Sequence, residues 1–522
     1  MGSATDGANG NEPTGPSGAP RGAGSRSIDP RLPVIIGVGQ FLNRVDRGAE
    51  SIEPAGLMAE AVRIAAADCG STEVGSGVLS NVELTAAVPT FTWRYRDPAA
   101  LVNAALGISG ARTWYATVGG NTPQMLMNRI CLSISSGDLD LAILCGAEAG
   151  RTRGVARREG RELDWTKQDD AVTPDWMDES PFFMGHEADA ARGVVMPLQT
   201  YPVFESALWH ESGLSRDEHL HRVGEIWSGF SKVASENPFA WRRESYTADE
   251  IVTPTEENRL LGSPYTKRMV ANPDVDMASA AIVCSVAKAR ALGISPDRWV
   301  FVHSGTDAKD RSISERPNFH SSPGIQVAGS LALELAGVGI DDVAHLDVYS
   351  CYPSAVQIAM RALGIGADRQ LTVYGGLAFA GGPWNNPVGH AIASMVDVLR
   401  ADAGASGFVT ANGGNIDKHA FGVYSTKPPT GGFRYESPQQ KVDQVPGIQA
   451  VVDHSGEAVI EGWAVMHDRE SNPEKAHAAC LTPEGKRTWA VTGDPAVMTE
   501  LVSSDMTERV VVIDGAGNFE IK

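Results

Sequence analysis

Two stretches of this chain repeat one another. Val82 to Ile108 and Val343 to Ile365 each read as a strand, a polar or proline-bearing turn, and a helix that ends Leu-Gly-Ile. A second pair follows the same plan: Gly119-Gly120 through Glu148, and Gly375-Gly376 through Gly414, each a glycine turn, a helix and a strand. Such self-similarity means one α/β unit built twice, and it constrains the fold more than any local motif does.

The local patterns agree with that plan. Pro33 to Gly39 is an apolar run bounded by glycine, expected as a buried strand. Leu57, Ala61, Ile64 and Ala65 recur at helical spacing within 54–67, and 98–106 is a helix closed by Gly107. Thr122-Pro123 opens a helix with Leu126, Met127, Ile130, Cys131 and Ile134 on one face, stopped by Gly137; proline first and glycine just past the end fit helix termini. Strands alternating with helices point to a parallel sheet.

Residues 150–262 are less regular, rich in Arg, Trp and Pro, and read as an inserted loop domain with helical patches such as Leu220 to Val233. It splits the first half of the core into 32–149 and 263–294, with 295–424 as the second half. The Pro/Thr/Gly run within 425–436 is a linker. Short strands at 458–466, 475–481, 488–492 and 509–513 suggest a small antiparallel barrel, OB-like, over 437–522. Residues 1–31 read as a disordered tail without the apolar core of a signal peptide.

Composition narrows the partners. At 522 residues and a formal net charge of −20, the chain can bury a large core but works against nucleic acid or an anionic membrane. No apolar run is long enough for a membrane span. Six cysteines without pairing pattern or metal spacing suggest reduced thiols, a cytoplasmic location and no metal.

Several motifs have ordinary readings. Gly37-Val-Gly39 would place the third glycine of a dinucleotide fingerprint at Leu42. His186-Glu187 lacks the second histidine of a zinc protease, and His219 and His221 lie ~200° apart on a helix, so they read as surface or capping residues. Arginines 151, 153, 157, 158 and 161 read as a solvated basic loop. Trp463 and Trp489 could be stacking platforms for single-stranded nucleic acid or, more simply, core residues.

The order of Gly120-Asn121 before a buried helix, Cys145-Gly-Ala-Glu148, Asn272-Pro-Asp-Val-Asp-Met-Ala278, Asp347-Val-Tyr-Ser-Cys-Tyr352, Gly375 through Pro383 and Ala411-Asn-Gly-Gly414 resembles the thiolase superfamily. The nearest branch is that of sterol-carrier-protein-type thiolase-like proteins with an extra C-terminal domain. The resemblance spans about 32–424. It implies an α/β thiolase fold, a duplicated five-layer αβαβα core, acyltransferase ancestry and an acyl-CoA thioester as ligand, with no other cofactor. Relatives include dimers; the sequence leaves monomer or homodimer open.

The family's chemistry uses a nucleophilic cysteine, an activating histidine, a second cysteine as acid/base and an Asn or His that orients water. By resemblance these four places are Gly120, Gly382, Ala411 and Tyr349. Only Tyr349 carries a functional side chain. Cys351 reads as buried packing, and His390, eight residues past Gly382 and thus ~10 Å along a helix, as a supporting residue.

What remains is backbone at Gly119, Gly120, Asn121, Gly382, Ala411, Asn412, Gly413 and Gly414, able to approach a ligand closely, with amides at the start of the helix after Thr122 that favour negative charge. The expectation is a protein that binds an acyl-CoA thioester, with ordinary thiolase activity absent. The alternatives are a non-covalent carbon–carbon lyase of retro-aldolase type using Tyr349, and a scaffold that recruits a partner.

Overall fold

The computed structural model describes residues 28–45, 50–178 and 185–522. Most of the expected N-terminal tail lies outside them.

The core is one mixed sheet made of two halves. In the first, Leu84–Ala87 pairs in parallel with both Arg112–Tyr115 and Leu141–Ala149. The helices Pro98–Leu106 and Thr122–Ser136 make the crossovers between these strands. Leu141–Ala149 then pairs antiparallel with Asp276–Ser285, which pairs antiparallel with Pro33–Leu42. The expected parallel sheet is therefore mixed. Only strands joined by a single helical crossover must run parallel, and Asp276–Ser285 returns after the long insertion.

The second half repeats the arrangement. His345–Asp347 lies parallel to Ser406–Gly413, followed antiparallel by Lys418–Ser425 and Val300–Lys309. Two residue pairs, Val34 with Phe301 and Ile35 with Val300, join the halves.

The repeated helices show why the repeat was readable. Pro98–Leu106 and Pro353–Leu363 both begin with proline and end at a left-handed glycine, Gly107 with φ 68° and Gly364 with φ 69°. Thr122–Ser136 and Pro387–Ala401 each pack against strands of both halves and against each other. This explains the near-complete burial of Thr122 to Cys131 apart from Arg129. Pro54–Asp68 covers the outer face of the first half, buried through Leu57, Ala61 and Ala65.

The insertion is more helical than the sequence suggests. It carries Pro197–Ser212 and Arg216–Glu236, the latter with a Ser215/Glu218 capping box. The arginine-rich stretch forms the helix Gly150–Arg158, not a loop, and Arg151 pairs with Asp274 at 2.7 Å. His186 does cap a helix, its Nδ1 accepting from Ala188 N. His219 departs from the surface reading: it is buried, 2.7 Å from Glu205.

The C-terminal sheet runs in the order Arg487–Thr492, Pro473–Leu481, Gly456–His467, Val510–Ile513, Phe519–Ile521. A single bridge, Val491 to Asn518, relates its two ends, so the sheet curls without a ladder of bonds closing it as a barrel. The sheet is also not self-contained, because Leu260–Ser263 from the insertion pairs with Gly456–His467. Trp463 and Trp489 are buried at 4% and 0% exposure, which removes them as stacking platforms. All six cysteines are free and buried. No helix among the described residues is long and apolar enough to cross a membrane.

Candidate functional site

The turn before the helix Thr122–Ser136, from the first half, and the turn after the strand Ser406–Gly413, from the second, meet where Gly413 lies against Gly119 and Gly120. They enclose a cavity of about 190 Å³. Gly119, Gly120, Tyr349, Gly382, Asn412, Gly413 and Gly414 all line it. Two expected site residues do not. Ala411 lies within the strand, paired with Ala420, and the buried Asn121 turns its amide between Gly119 and Gly413.

Gly120 is the centre of the arrangement. A Cβ built on it would collide with Tyr349 Oη, and would lie 2.8 Å from Tyr349 Cζ and 2.5 Å from Asn412 O. Such approaches are impossible for a real side chain, so glycine here is a packing requirement. The tyrosine hydroxyl occupies the start of the path a side chain at 120 would take. Gly382 differs: a Cβ there would meet only Ala271 Cβ at 3.1 Å, Asn272 N at 3.3 Å and Leu377 O at 3.4 Å. A side chain at 382 would thus need its neighbours to give by a few tenths of an ångström, whereas one at 120 is blocked outright.

Tyr349 belongs to a cluster. Tyr201, from the helix Pro197–Ser212, stacks on Tyr352 with ring centroids 4.2 Å apart, and its hydroxyl donates to Gly414 O at 3.2 Å. Asn412 Nδ2 donates to the Tyr201 hydroxyl at 3.4 Å. Burial pushes the hydroxyls of Tyr201 and Tyr349 well above the ordinary tyrosine range, the neighbouring Cys351 adding to the shift. Both are therefore neutral hydrogen-bond donors at physiological pH, and poor bases. Burial also pushes the Cys351 thiol up to about 12, which keeps it protonated.

Backbone donors are only partly free. The Gly119 amide is engaged by Asn385 Oδ1 at 3.0 Å, and Asn385 in turn donates to Pro89 O at 2.9 Å. His390 lies outside the cavity, fully buried, bonded to Gln40 at 2.8 Å; burial pushes it down to about 3 and keeps it neutral.

The lining also includes the apolar side chains Phe91, Leu198, Leu377 and Trp384. Trp384 sits in the left-handed region at φ 45° and is 39% exposed, its ring edge-on to Phe91 at 5.3 Å. A bulky residue held there at the mouth is local strain sustained by its surroundings. Phe91 is held in turn by Glu148, which accepts from the Phe91 and Thr92 amides at 2.7 and 2.9 Å.

Tyr201, Trp384 and Asn385 escaped the sequence reading. Tyr201 sits in the aperiodic insertion with no local signal. Trp384 and Asn385 directly follow the Gly381-Gly382-Pro383 turn and could have been taken as part of it. Among the described residues, no group of three or more His, Cys, Asp or Glu is placed to hold a metal ion.

Comparisons with known proteins agree with the fold. Residues 438–517 match the family described as the thiolase-like protein type 1 additional C-terminal domain. A crystal structure of a monomeric SCP2-thiolase-like protein type 1 from Mycobacterium smegmatis superposes with a TM-score of 0.81 at 28% identity, covering 95% of this chain and 99% of that one. An Ltp2-ChsH2(DUF35) aldolase, at TM-score 0.57 and 17% identity, covers 76% of this chain and 99% of its own. The dimeric peroxisomal thiolase of Saccharomyces cerevisiae, at TM-score 0.56 and 13% identity, covers 76% and 98%. These last two share the fold alone. No curated protein matches the chain in sequence. With its thiolase-like core, its glycine-lined cavity between the halves and its extra domain, the chain belongs to the thiolase superfamily, among the SCP2-thiolase-like proteins of type 1.

Proposed function

We propose that this protein binds an acyl-CoA thioester in the cavity at Gly120 without forming an acyl-enzyme, so that neither thiolysis nor Claisen condensation takes place. The observation that carries this is the collision between a Cβ at residue 120 and the Tyr349 hydroxyl. A covalent mechanism needs a nucleophile at that point, and the volume is given to a neutral hydrogen-bond donor. The fit to a thioester rests on that donor in a cavity also lined by apolar side chains, suited to the carbonyl and the acyl group respectively.

The test is incubation with acetyl-CoA, followed by intact-protein mass spectrometry and calorimetric titration. Saturable binding with unchanged protein mass is expected; an acyl adduct refutes the proposal.

A second reading is carbon–carbon lyase chemistry without a covalent intermediate. The meeting of Tyr349 with Tyr201 in one cavity favours it, since cleavage moves one proton from the substrate's β-hydroxyl to the enolate carbon, and a tyrosine that protonates the enolate takes that hydroxyl proton in exchange. A relative of this fold is named an aldolase. Loss of cleavage in Tyr349→Phe would support it, and a lyase activity untouched by that change would sink the assignment.

The same reading takes Thr122–Ser136 and Pro387–Ala401 as the middle of five αβαβα layers. It divides the chain at about 32, 150, 263, 295, 425 and 437, and places the protein in the cytoplasm.

A further inference from the structure

The C-terminal domain reaches the site through two continuous lines of contact. The first is polar. Glu461 accepts from Arg487 Nε at 2.8 Å and Nη2 at 2.9 Å, a two-pronged pair with the guanidinium wholly buried. The third nitrogen, Nη1, donates to Arg316 O at 2.5 Å. Arg316 is itself buried, and its own Nη1 donates to Ile416 O at 2.6 Å, while Nη2 donates to Ser321 O at 2.7 Å. Ile416 closes the turn that begins with Gly413 and Gly414. It is a β-branched residue at φ 58°, a conformation that persists only when its surroundings enforce it.

The second line is aromatic. Trp489 meets Phe319 at 6.4 Å, Phe319 meets Phe204 at 5.9 Å, Phe204 meets Tyr201 at 5.9 Å, and Tyr201 stacks on Tyr352. The two arginines lie over this stack, Arg487 on Phe319 at 4.4 Å and Arg316 on Phe204 at 5.1 Å. The Trp489 indole N–H donates to Ser314 Oγ at 2.8 Å, tying the domain to the segment that carries Arg316. Two strands across the sheet, Trp463 N donates to Ser206 Oγ at 2.9 Å, fixing the helix that bears Tyr201.

We propose that the C-terminal domain is an intramolecular brace for the site, with Arg487 and Trp489 as positioning residues that hold the strained Gly413–Ile416 turn and Tyr201 in place. A buried ion pair such as Arg487 with Glu461 contributes little to stability compared with an apolar pair, and the bond its remaining nitrogen gives to a main-chain carbonyl two links from the cavity makes sense as a specifier of geometry. The brace is independent of which ligand the cavity takes.

The test is amide hydrogen exchange on the full chain, with Arg487→Leu, Arg487→Lys and Trp489→Phe. Arg487→Leu is expected to speed exchange of amides 412–417 by about tenfold or more, while the helix Pro54–Asp68 is unchanged. Arg487→Lys, which keeps a donor for Arg316 O, should restore part of the protection. Trp489→Phe, which keeps an aromatic ring but loses the bond to Ser314 and part of the indole's volume, should loosen the same turn to a lesser degree and serves if Arg487→Leu does not fold. Unchanged exchange at 412–417 alongside faster exchange in the C-terminal sheet would overturn the proposal, as would full equivalence of the Leu and Lys variants.

Discussion

Tyr349 and Gly120 occupy one volume between them: the hydroxyl of the first stands where the second would place its Cβ. The pair should therefore behave as a unit in mutation. Gly120→Ala alone is expected to cost about 2–3 kcal/mol through overpacking. In a Tyr349→Ala background the same change should cost at least about 1 kcal/mol less. Full relief is not expected, because Asn412 O remains close. Urea unfolding of the four proteins measures the coupling; additive values would mean that the two residues do not share the space.

Binding should report the hydroxyl. A neutral hydrogen bond contributes about 0.5–1.5 kcal/mol net, so Tyr349→Phe should weaken acetyl-CoA affinity by roughly two- to tenfold. Calorimetry on the two proteins decides it, and equal affinities would remove Tyr349 from the thioester's contacts.

Behind the tyrosines lies a buried polar network whose loss should be costly. Glu205 accepts from Tyr265 Oη at 2.7 Å and from Gln357 Nε2 at 2.8 Å, and pairs with His219 at 2.7 Å. Glu205→Ala strands three partners and is expected to destabilise by about 3–5 kcal/mol. Glu205→Gln, which keeps two of the bonds by shape, should cost less than half of that. Thermal and chemical denaturation compare the two, and a mild effect for Ala would show that water takes the vacated place.

Stability should fall as pH rises through the weakly acidic range. Burial pushes Glu148 up to about 7, and Asp347 and Asp276 each up to about 6, against hydrogen bonds that pull them down. The folded chain therefore holds protons that the unfolded chain has released. The stabilisation is complete below the ordinary carboxyl range and is lost as pH climbs to about 7; Glu148 alone contributes on the order of 3 kcal/mol. Asp310 acts oppositely: the hydrogen bond from His419 and the charge of Arg316 outweigh burial and hold it at about 2, so its stabilisation is present above the ordinary carboxyl range and is lost only as pH falls toward 2. Urea midpoints should decline between about pH 5 and pH 7.5, and Glu148→Gln should flatten that slope; a rising slope would contradict the assignment.

The repeat was legible because it is written in helix termini. Proline at the start and glycine past the end mark Pro98–Leu106 and Pro353–Leu363 whatever they pack against. Strand direction was not legible: residues 276–285 look the same in a parallel or an antiparallel ladder, and pairing is settled by where a long insertion returns the chain. The glycine-lined half of the site could be found from motif order, since close backbone approach demands glycine in fixed places. Tyr201 could not, because its contact with Gly414 O spans 213 residues and leaves no periodic trace. The curl of the C-terminal sheet was readable from its short strands, whereas its dependence on the four residues Leu260–Ser263 was not.

That borrowed strand bears on how the protein is made. Leu260–Ser263 and the face of Pro197–Ser212 that carries Ser206 leave the ribosome long before Gly456–His467 arrives to cover them. Some 200 residues of synthesis separate the two, about 10–40 s at typical elongation rates. Through that interval the nascent chain presents an open strand edge and an uncovered helix. A message cut short after the thiolase-like core would leave them exposed for good, making the truncated product a natural client of chaperones and proteases rather than a smaller working protein.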